Sequence, residues 1–414
     1  MKVLFVADGR SPIAMNWIQY FLGAGYEVHL ASTFPCEAPL PFASFSIVPV
    51  AFSSLKARRS GAVKRGRAAE LLWGAPALRN RTVLRQLLGP LTLNRAAGDL
   101  RAIIAEVKPD LVHAMRIPYE GMLASVAMNA SARSGRSGLD RQAGMTNPPL
   151  LISVWGNDFS LHATSNPWMA RFTRQSLQRA SALHTDCRRD LRTAHERGFS
   201  EEKPAAVLPG GGGVQLDLFY PPDRDKPEEA HSLRSRTVIN PRGFRAYVRN
   251  ETFFRAIPIV LESRPETRFL CPEMSGERQV LGWIQDLGIE SSVELLPPLS
   301  REQMAERFRQ AAVTVSPTVH DGTPNTLLEA MACGCFPVAG DLESIREWIS
   351  TGVNGLLVDP TDPQELAGAI LSALTQPGLR AGAAEHNLKM IRERAEYGGV
   401  MRSAEQFYRE IVTV

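Results

Sequence analysis

The residues of this chain best placed to do chemistry lie in one stretch, Ser316-Pro317-Thr318-Val319-His320-Asp321-Gly322-Thr323-Pro324-Asn325-Thr326-Leu327-Leu328-Glu329. The apolar run Val313–Val315 reads as a strand and the polar residues after it as a loop. Thr323 and Pro324 read as the N-cap and first residue of a helix. A loop entering a helix N-terminus presents unpaired backbone N–H groups and the positive end of the helix dipole, which suits a diphosphate. Pro324 has no N–H to give, so Asn325 and Thr326 are the expected donors, with Gly322 and Thr323 lining the loop before them. Glu329 stands eight residues after Asp321, well inside the helix, where a carboxylate can accept from both hydroxyls of a ribose. The chemistry implied is capture of a nucleoside diphosphate. No side chain stands out as an enzymic nucleophile, and no Asp-x-Asp metal pattern is evident.

Positioning such a loop takes a parallel α/β sheet, and the chain alternates apolar strand-like runs with helical patterns throughout. In the first half, strands are expected at Val3–Ala7, Tyr26–Ala31, Leu111–Ala114, Leu150–Val154, around His184 and at Ala205–Leu208. Ser11 and Pro12 open a helix whose Ile13, Trp17, Tyr20 and Phe21 have the spacing of a buried face, and Gly25 ends it. A second series begins near Val238, with strands expected at Thr237–Ile239, Arg268–Cys271, Val293–Leu295, Val313–Val315, Pro337–Ala339 and Gly355–Val358. The polar, proline-rich run Pro221–Glu229 reads as a linker between domains, and residues 129–147 as an exposed loop. Two open α/β domains leave a cleft outside the carboxyl ends of their strands, where ligands bind.

The 414 residues exceed one core and suggest two or three domains. A composition of 44% hydrophobic and 22% charged residues is ordinary for a globular protein. The N-terminal apolar run Val3–Ala7 is too short for a signal peptide and reads as a first strand, which points to the cytoplasm. The five cysteines, Cys36, Cys187, Cys271, Cys333 and Cys335, have neither zinc nor redox spacing and read as reduced, mostly buried thiols. The net charge of +4 hides an asymmetry: residues 56–95 hold ten basic residues against one acid, Glu70. That segment reads as a solvated face, as a contact for an anionic membrane surface, or as a site for a polyanionic acceptor. Nothing beside the charge would read bases, so nucleic acid is not an expected partner.

The Asp321–Glu329 frame resembles the signature of glycosyltransferase family four, E-G-F-G-x-x-x-x-E-A-M-A-x-G, here ending Glu329-Ala330-Met331-Ala332-Cys333-Gly334. Pro337-Val338-Ala339-Gly340, Glu347 and Asn354-Gly355-Leu356-Leu357-Val358 continue the likeness. Gly213-Val214-Gln215-Leu216-Asp217-Leu218-Phe219 resembles the family's N-G-V-D-x-x-x-F, and Pro109-Asp110-Leu111-Val112-His113-Ala114 its P-D-V-V-H-A-H. The resemblance implies the GT-B fold, two Rossmann-like doubly wound domains facing a cleft. An acceptor domain would span residues 1–212 and a donor domain residues 213–395, with a helix over 396–414 crossing back to the first domain.

By the same resemblance Arg242, in Asn240-Pro241-Arg242-Gly243, holds the donor diphosphate. Tyr247 stands where the family has a lysine, with Arg245 and Arg249 beside it to neutralise the leaving group. Asp321 replaces the glutamate that approaches a donor-sugar hydroxyl, and His113 is a donor-sugar contact or a satisfied core histidine. Arg242, Asp321 and His113 form the expected catalytic set. Gly9 and Arg10 sit in the N-terminal loop near the diphosphate and acceptor. Asp158, in Trp155-Gly156-Asn157-Asp158, touches the acceptor or caps the next helix.

The activity implied is retaining transfer of a hexosyl group from a UDP- or GDP-sugar to a sugar, polysaccharide or lipid-linked acceptor, with no cofactor or metal. A non-catalytic sugar-nucleotide-binding subunit and a sugar-nucleotide 2-epimerase of the same fold are the alternatives.

Overall fold

The computed structural model describes residues 1–53, 89–134, 147–223 and 228–413. The chain divides into two compact units, one of Met1–Gly212 with Met401–Val414 and one of Gly213–Val400.

The first unit is built on a seven-stranded, wholly parallel sheet of β1 (Lys2–Ala7), β2 (Glu27–Ser32), β3 (Ser44–Ile47), β4 (Leu111–Ala114), β5 (Leu150–Val154), β6 (Ala182–Thr185) and β7 (Ala205–Val207). Its order, β3-β2-β1-β4-β5-β6-β7, reverses direction between β1 and β4. The central strands are buried along their length, which is why they read as continuous apolar runs. The edge strand β3 was not among the expected strands. Its Ser-Phe-Ser-Ile sequence is half-exposed and carries no such run.

Ser11 caps the helix Pro12–Gly23 by accepting from the Ala14 N–H at 3.3 Å. The buried stripe of that helix is Ala14, Trp17, Ile18 and Phe21. The expected face is corrected at Ile13, which is exposed, and at Tyr20, which is half-buried with its phenol on Glu405. The stripe is rotated by about one residue, because Ala14 and Ile18 face the sheet instead. Residues 129–134 are also corrected: they continue the helix Met122–Ser134, and residues 135–146 lie outside the described residues. Of the basic residues in 56–95, only the exposed Arg95 is described. Among the described residues no helix is long and apolar enough to cross a membrane.

The C-terminal helix Tyr397–Thr413 returns to the first unit, where Tyr408 is wholly buried. Its ring stacks on Phe21 with centroids 4.4 Å apart, and its hydroxyl accepts from Trp17 Nε1 at 2.9 Å and meets His113 Nδ1 at 2.5 Å. Replacing Tyr408 by phenylalanine keeps the ring but strands the Trp17 N–H inside the core. A loss of about 1–3 kcal/mol is expected, read as a lower urea midpoint for the first unit in a domain-resolved probe such as hydrogen exchange.

The second unit carries a six-stranded parallel sheet of β8 (Thr237–Ile239), β9 (Arg268–Cys271), β10 (Val293–Leu295), β11 (Val313–Ser316), β12 (Phe336–Gly340) and β13 (Leu356–Val358). The order is β10-β9-β8-β11-β12-β13, so the direction reverses between β8 and β11. The run Pro221–Glu229 is corrected as a linker. Its described residues, 221–223 and 228–229, lie inside this unit, the last two in the helix Glu228–Ser235, and residues 224–227 lie outside the described residues. Gly213, at φ +90°, begins the unit, and a Cβ there would run into the carbonyl oxygen of Ala395.

Candidate functional site

The reversal between β8 and β11 sets two loops side by side at the carboxyl ends of those strands, the position where open α/β sheets bind ligands. The loops are also stitched together. The Arg249 N–H donates to the Pro317 carbonyl at 2.8 Å, and the Val319 N–H to the Tyr247 carbonyl at 3.0 Å. Gly340 at the end of β12 lets the second loop pass close, since a Cβ there would meet the Thr318 carbonyl oxygen.

This stitching brings Arg242 against the stretch singled out above. The Arg242 guanidinium donates to Asp321 Oδ2 at 2.5 Å and to Thr326 Oγ1 at 3.1 Å, and its own N–H is held by Asn240 Oδ1 at 3.2 Å. Both side chains of the ion pair are about nine-tenths buried, at 11% and 10% exposure, so the pair is shielded from water and salt. Arg242 Nε and Asn325 Oδ1 are buried without a protein partner. Arg245 is exposed and turned to Glu273 at 3.1 Å, with its Nε on the Arg242 carbonyl. Arg245 therefore braces the loop, and Arg249 points out as an exposed cation.

The helix runs Asn325–Ala332 with Pro324 at the N-cap, one residue later than expected. The Thr323 hydroxyl accepts from the Trp348 indole N–H at 3.1 Å. Ser344 Oγ donates to the Asp321 carbonyl at 2.7 Å, so two side chains from the following segment fix the loop holding Asp321, Gly322 and Thr323. The first-turn N–H groups of Asn325 and Thr326 have no intrahelical acceptor, and the Leu327 and Leu328 N–H groups close onto the Pro324 carbonyl. Asn354 bonds the Trp348 carbonyl and Asn387, so the resembling Asn-Gly-Leu-Leu-Val run supports the tryptophan that supports Thr323.

Glu329 lies further along the helix with a side chain 13% exposed. Burial raises its carboxyl above the ordinary range, and the charge of Arg301, 3.4 Å from Oε1, opposes that rise. Arg301 reaches Gln215 Oε1 with its other arm at 3.1 Å. Arg301, Ser344 and Trp348 carried no signal in the sequence, and Gln215 was visible only as part of the Gly213–Phe219 run; each acts through a partner distant along the chain.

The first unit holds the remaining expected residues. His113 takes the second of its two expected places, that of a satisfied core histidine. It is wholly buried on β4 with Nδ1 on Tyr408 and Nε2 on Ser153 at 2.7 Å, leaving no ring nitrogen for a ligand. Ser153 Oγ continues to His184 Nδ1 at 2.8 Å, and His184 Nε2 to the Leu208 carbonyl. Burial pushes both imidazoles down, His184 to about 4.

Asp158 opens the short helix Asp158–His162, and its carboxylate turns back onto its own loop. It is wholly buried, takes Arg116 at 2.6 Å on Oδ1 and accepts the Trp155 N–H on Oδ2. Arg10 forks onto Asp8 at 2.9 and 2.8 Å and lies over the Phe34 ring, while the Gly9 N–H donates to Ser32 Oγ. Asp186, Cys187 and Asp190 bring one ligand atom each within 4.8 Å of one another, but Arg189 holds Asp190 and the Gly156 N–H holds Asp186. Cys187, Cys271, Cys333 and Cys335 are buried thiols as expected, with Cys335 pushed up to about 12 by burial.

The family model described as "Glycosyl transferase 4-like domain" matches residues 9–211, and that described as "Glycosyl transferases group 1" matches residues 244–376. A D-inositol 3-phosphate glycosyltransferase of Acidothermus cellulolyticus is 36% identical over 125 residues, 29% of this chain and 28% of the relative. Another, of Thermobispora bispora, is 28% identical over 199 residues, 44% of this chain and 46% of the relative. The chain thus spans less than half the length of either relative.

Among solved structures, sucrose-phosphate synthase of Thermosynechococcus elongatus superposes with a TM-score of 0.72 at 15% identity, over 100% of this chain and 99% of that one. Anabaena HepE in complex with UDP-glucose superposes with a TM-score of 0.67 at 15% identity, over all of both chains. At those identities the likeness speaks for the fold, two Rossmann-like units of the GT-B type. With its N-terminal and C-terminal units matched by the two models, the chain belongs to the group 1, family-four glycosyltransferases.

Proposed function

We propose that this chain is a retaining glycosyltransferase that moves a hexosyl group from a UDP- or GDP-sugar bound on its second unit. The observation that carries the reading is the meeting of Arg242, Asp321 and Thr326 at the open N-terminus of the helix that also bears Glu329. A helix N-terminus with a shielded guanidinium beside it suits the diphosphate, and Glu329 suits the ribose. In the reaction the acceptor oxygen bonds to the anomeric carbon as the bond from that carbon to the diphosphate oxygen breaks. The leaving diphosphate takes the acceptor proton on the same face. Arg242 and the helix N-terminus then stabilise the charge that grows on the diphosphate, the role a metal plays elsewhere.

The test is nucleotide release from UDP- and GDP-sugars across an acceptor panel, with the product's anomeric configuration read by NMR. Glu329→Ala is expected to weaken donor binding by about 10–100-fold, and EDTA to leave turnover unchanged. Binding by calorimetry with no release on any acceptor would instead identify a non-catalytic binding subunit. Consumption of the sugar nucleotide without an acceptor would identify an epimerase.

A further inference from the structure

Glu329 has two oxygens in different circumstances. Oε1 is taken by Arg301 at 3.4 Å, while among the described residues Oε2 has no protein partner. The side chain is mostly buried, so without a fixed cation beside it the carboxylate would be free to turn and to take up a proton. Arg301 is itself held at two further points. Its Nη1 donates to Gln215 Oε1 at 3.1 Å, and its guanidinium lies 5.4 Å from the centre of the Phe219 ring. Gln215 is neutral, so this second anchor fixes the arginine without drawing its charge away from Glu329. Arg301 stands at the N-terminus of the helix Arg301–Arg309, and its anchors Gln215 and Phe219 come from the start of the unit. They orient a carboxylate that belongs to a third segment.

We propose that Arg301 is a positioning residue for the donor's ribose: by occupying Oε1 of Glu329 it presents Oε2 to the sugar hydroxyls, so the preference for ribonucleotides depends on it. This rests on the reading of the second unit as the sugar-nucleotide site. Arg301 touches neither the sugar nor the phosphates; its effect passes through Glu329. Loss of Arg301 therefore removes discrimination at the ribose and leaves the grip on the diphosphate, which lies with Arg242 and the helix N-terminus.

The experiment compares UDP with 2′-deoxy-UDP, and GDP with 2′-deoxy-GDP, by calorimetry on the full chain. Wild type, Arg301→Gln, Arg301→Lys, Glu329→Gln and the Arg301→Gln/Glu329→Gln double variant are measured. Wild type is expected to prefer a ribonucleotide by about tenfold or more, the worth of a hydrogen bond to a charged acceptor. Arg301→Gln should erase most of that preference while leaving the deoxynucleotide's affinity within about twofold, and Arg301→Lys should restore part of it. In the Glu329→Gln background, Arg301→Gln should change nothing more, because the two residues act as one unit. An equal weakening of both nucleotides by Arg301→Gln, or a preference that survives it, overturns the proposal. Failure of wild type to bind either ribonucleotide overturns the site reading itself, a separate and distinguishable result.

Discussion

Replacing Arg242 by alanine is expected to lower kcat/KM for the sugar nucleotide by about 10²–10³-fold, the usual effect of removing one donor that stabilises transition-state charge. The guanidinium is the shielded cation of the loop pair, and burial strengthens its field on any phosphate brought to the helix N-terminus. The same substitution has a second effect on folding. Asp321, 7% exposed beside Arg242, would lose its counterion, and removing one partner of a buried pair costs about 3–5 kcal/mol. A drop in activity alone would therefore not separate catalysis from folding.

The double variant Arg242→Ala/Asp321→Asn makes that separation, since the asparagine needs no counterion. It is expected to recover most of the stability in a denaturant titration while turnover stays at the level of Arg242→Ala. Arg242→Lys keeps the charge but cannot fork between Asp321 and Thr326, so it should fall between wild type and alanine. Recovery of turnover in the double variant would show that Arg242 serves only to neutralise Asp321.

Much of this site was legible because its parts are local. The strand, loop, helix and eight-residue frame from Asp321 to Glu329 sit in one stretch, where capping chemistry and periodicity suffice. The strands Thr237–Ile239 and Arg268–Cys271 were placed to the residue for a related reason: short apolar runs between polar turns have only one position in a covered parallel sheet. What escaped is the contacts themselves, which strand order sets. Arg242 and Asp321 are 79 residues apart, and Arg301 and Glu329 are 28 apart. No spacing along the chain announces a contact made because β8 neighbours β11.

His113 shows an ambiguity that the sequence leaves open. Its type and its place on a central strand matched a functional pattern, yet Tyr408, 295 residues away, and Ser153 use both ring nitrogens. Asp158 is similar, because Arg116 was not recognisable as its partner from sequence. A polar residue at the end of a buried strand is ambiguous until its partners are known, since burial demands that something satisfy it.

Asp321 provides the sharper test of how this site departs from its family's pattern. By resemblance it stands where a glutamate approaches a hydroxyl of the donor sugar. In this structure the shorter carboxylate lies on the Arg242 guanidinium, where an incoming diphosphate would have to compete with it. The two roles make opposite predictions for a ligand that lacks the sugar. If Asp321 is chiefly the counterion of Arg242, Asp321→Asn frees the guanidinium's charge while keeping the side chain's shape and one acceptor oxygen. UDP, or GDP if that is the base, is then expected to bind about tenfold tighter, an electrostatic gain near 1.4 kcal/mol. The gain should shrink only weakly with added salt, because the pair is shielded. Turnover should not rise with it: a tighter grip on the diphosphate is shared by donor and product, so it lowers KM and slows release without favouring the transition state. If Asp321 instead contacts the sugar, the asparagine variant leaves the bare nucleotide's affinity unchanged and weakens only the sugar nucleotide. Calorimetry with the nucleoside diphosphate and its sugar conjugate on the same variant decides between them. The counterion role is expected, because the carboxylate that would have to reach the sugar is already engaged at 2.5 Å inside a nearly closed pair.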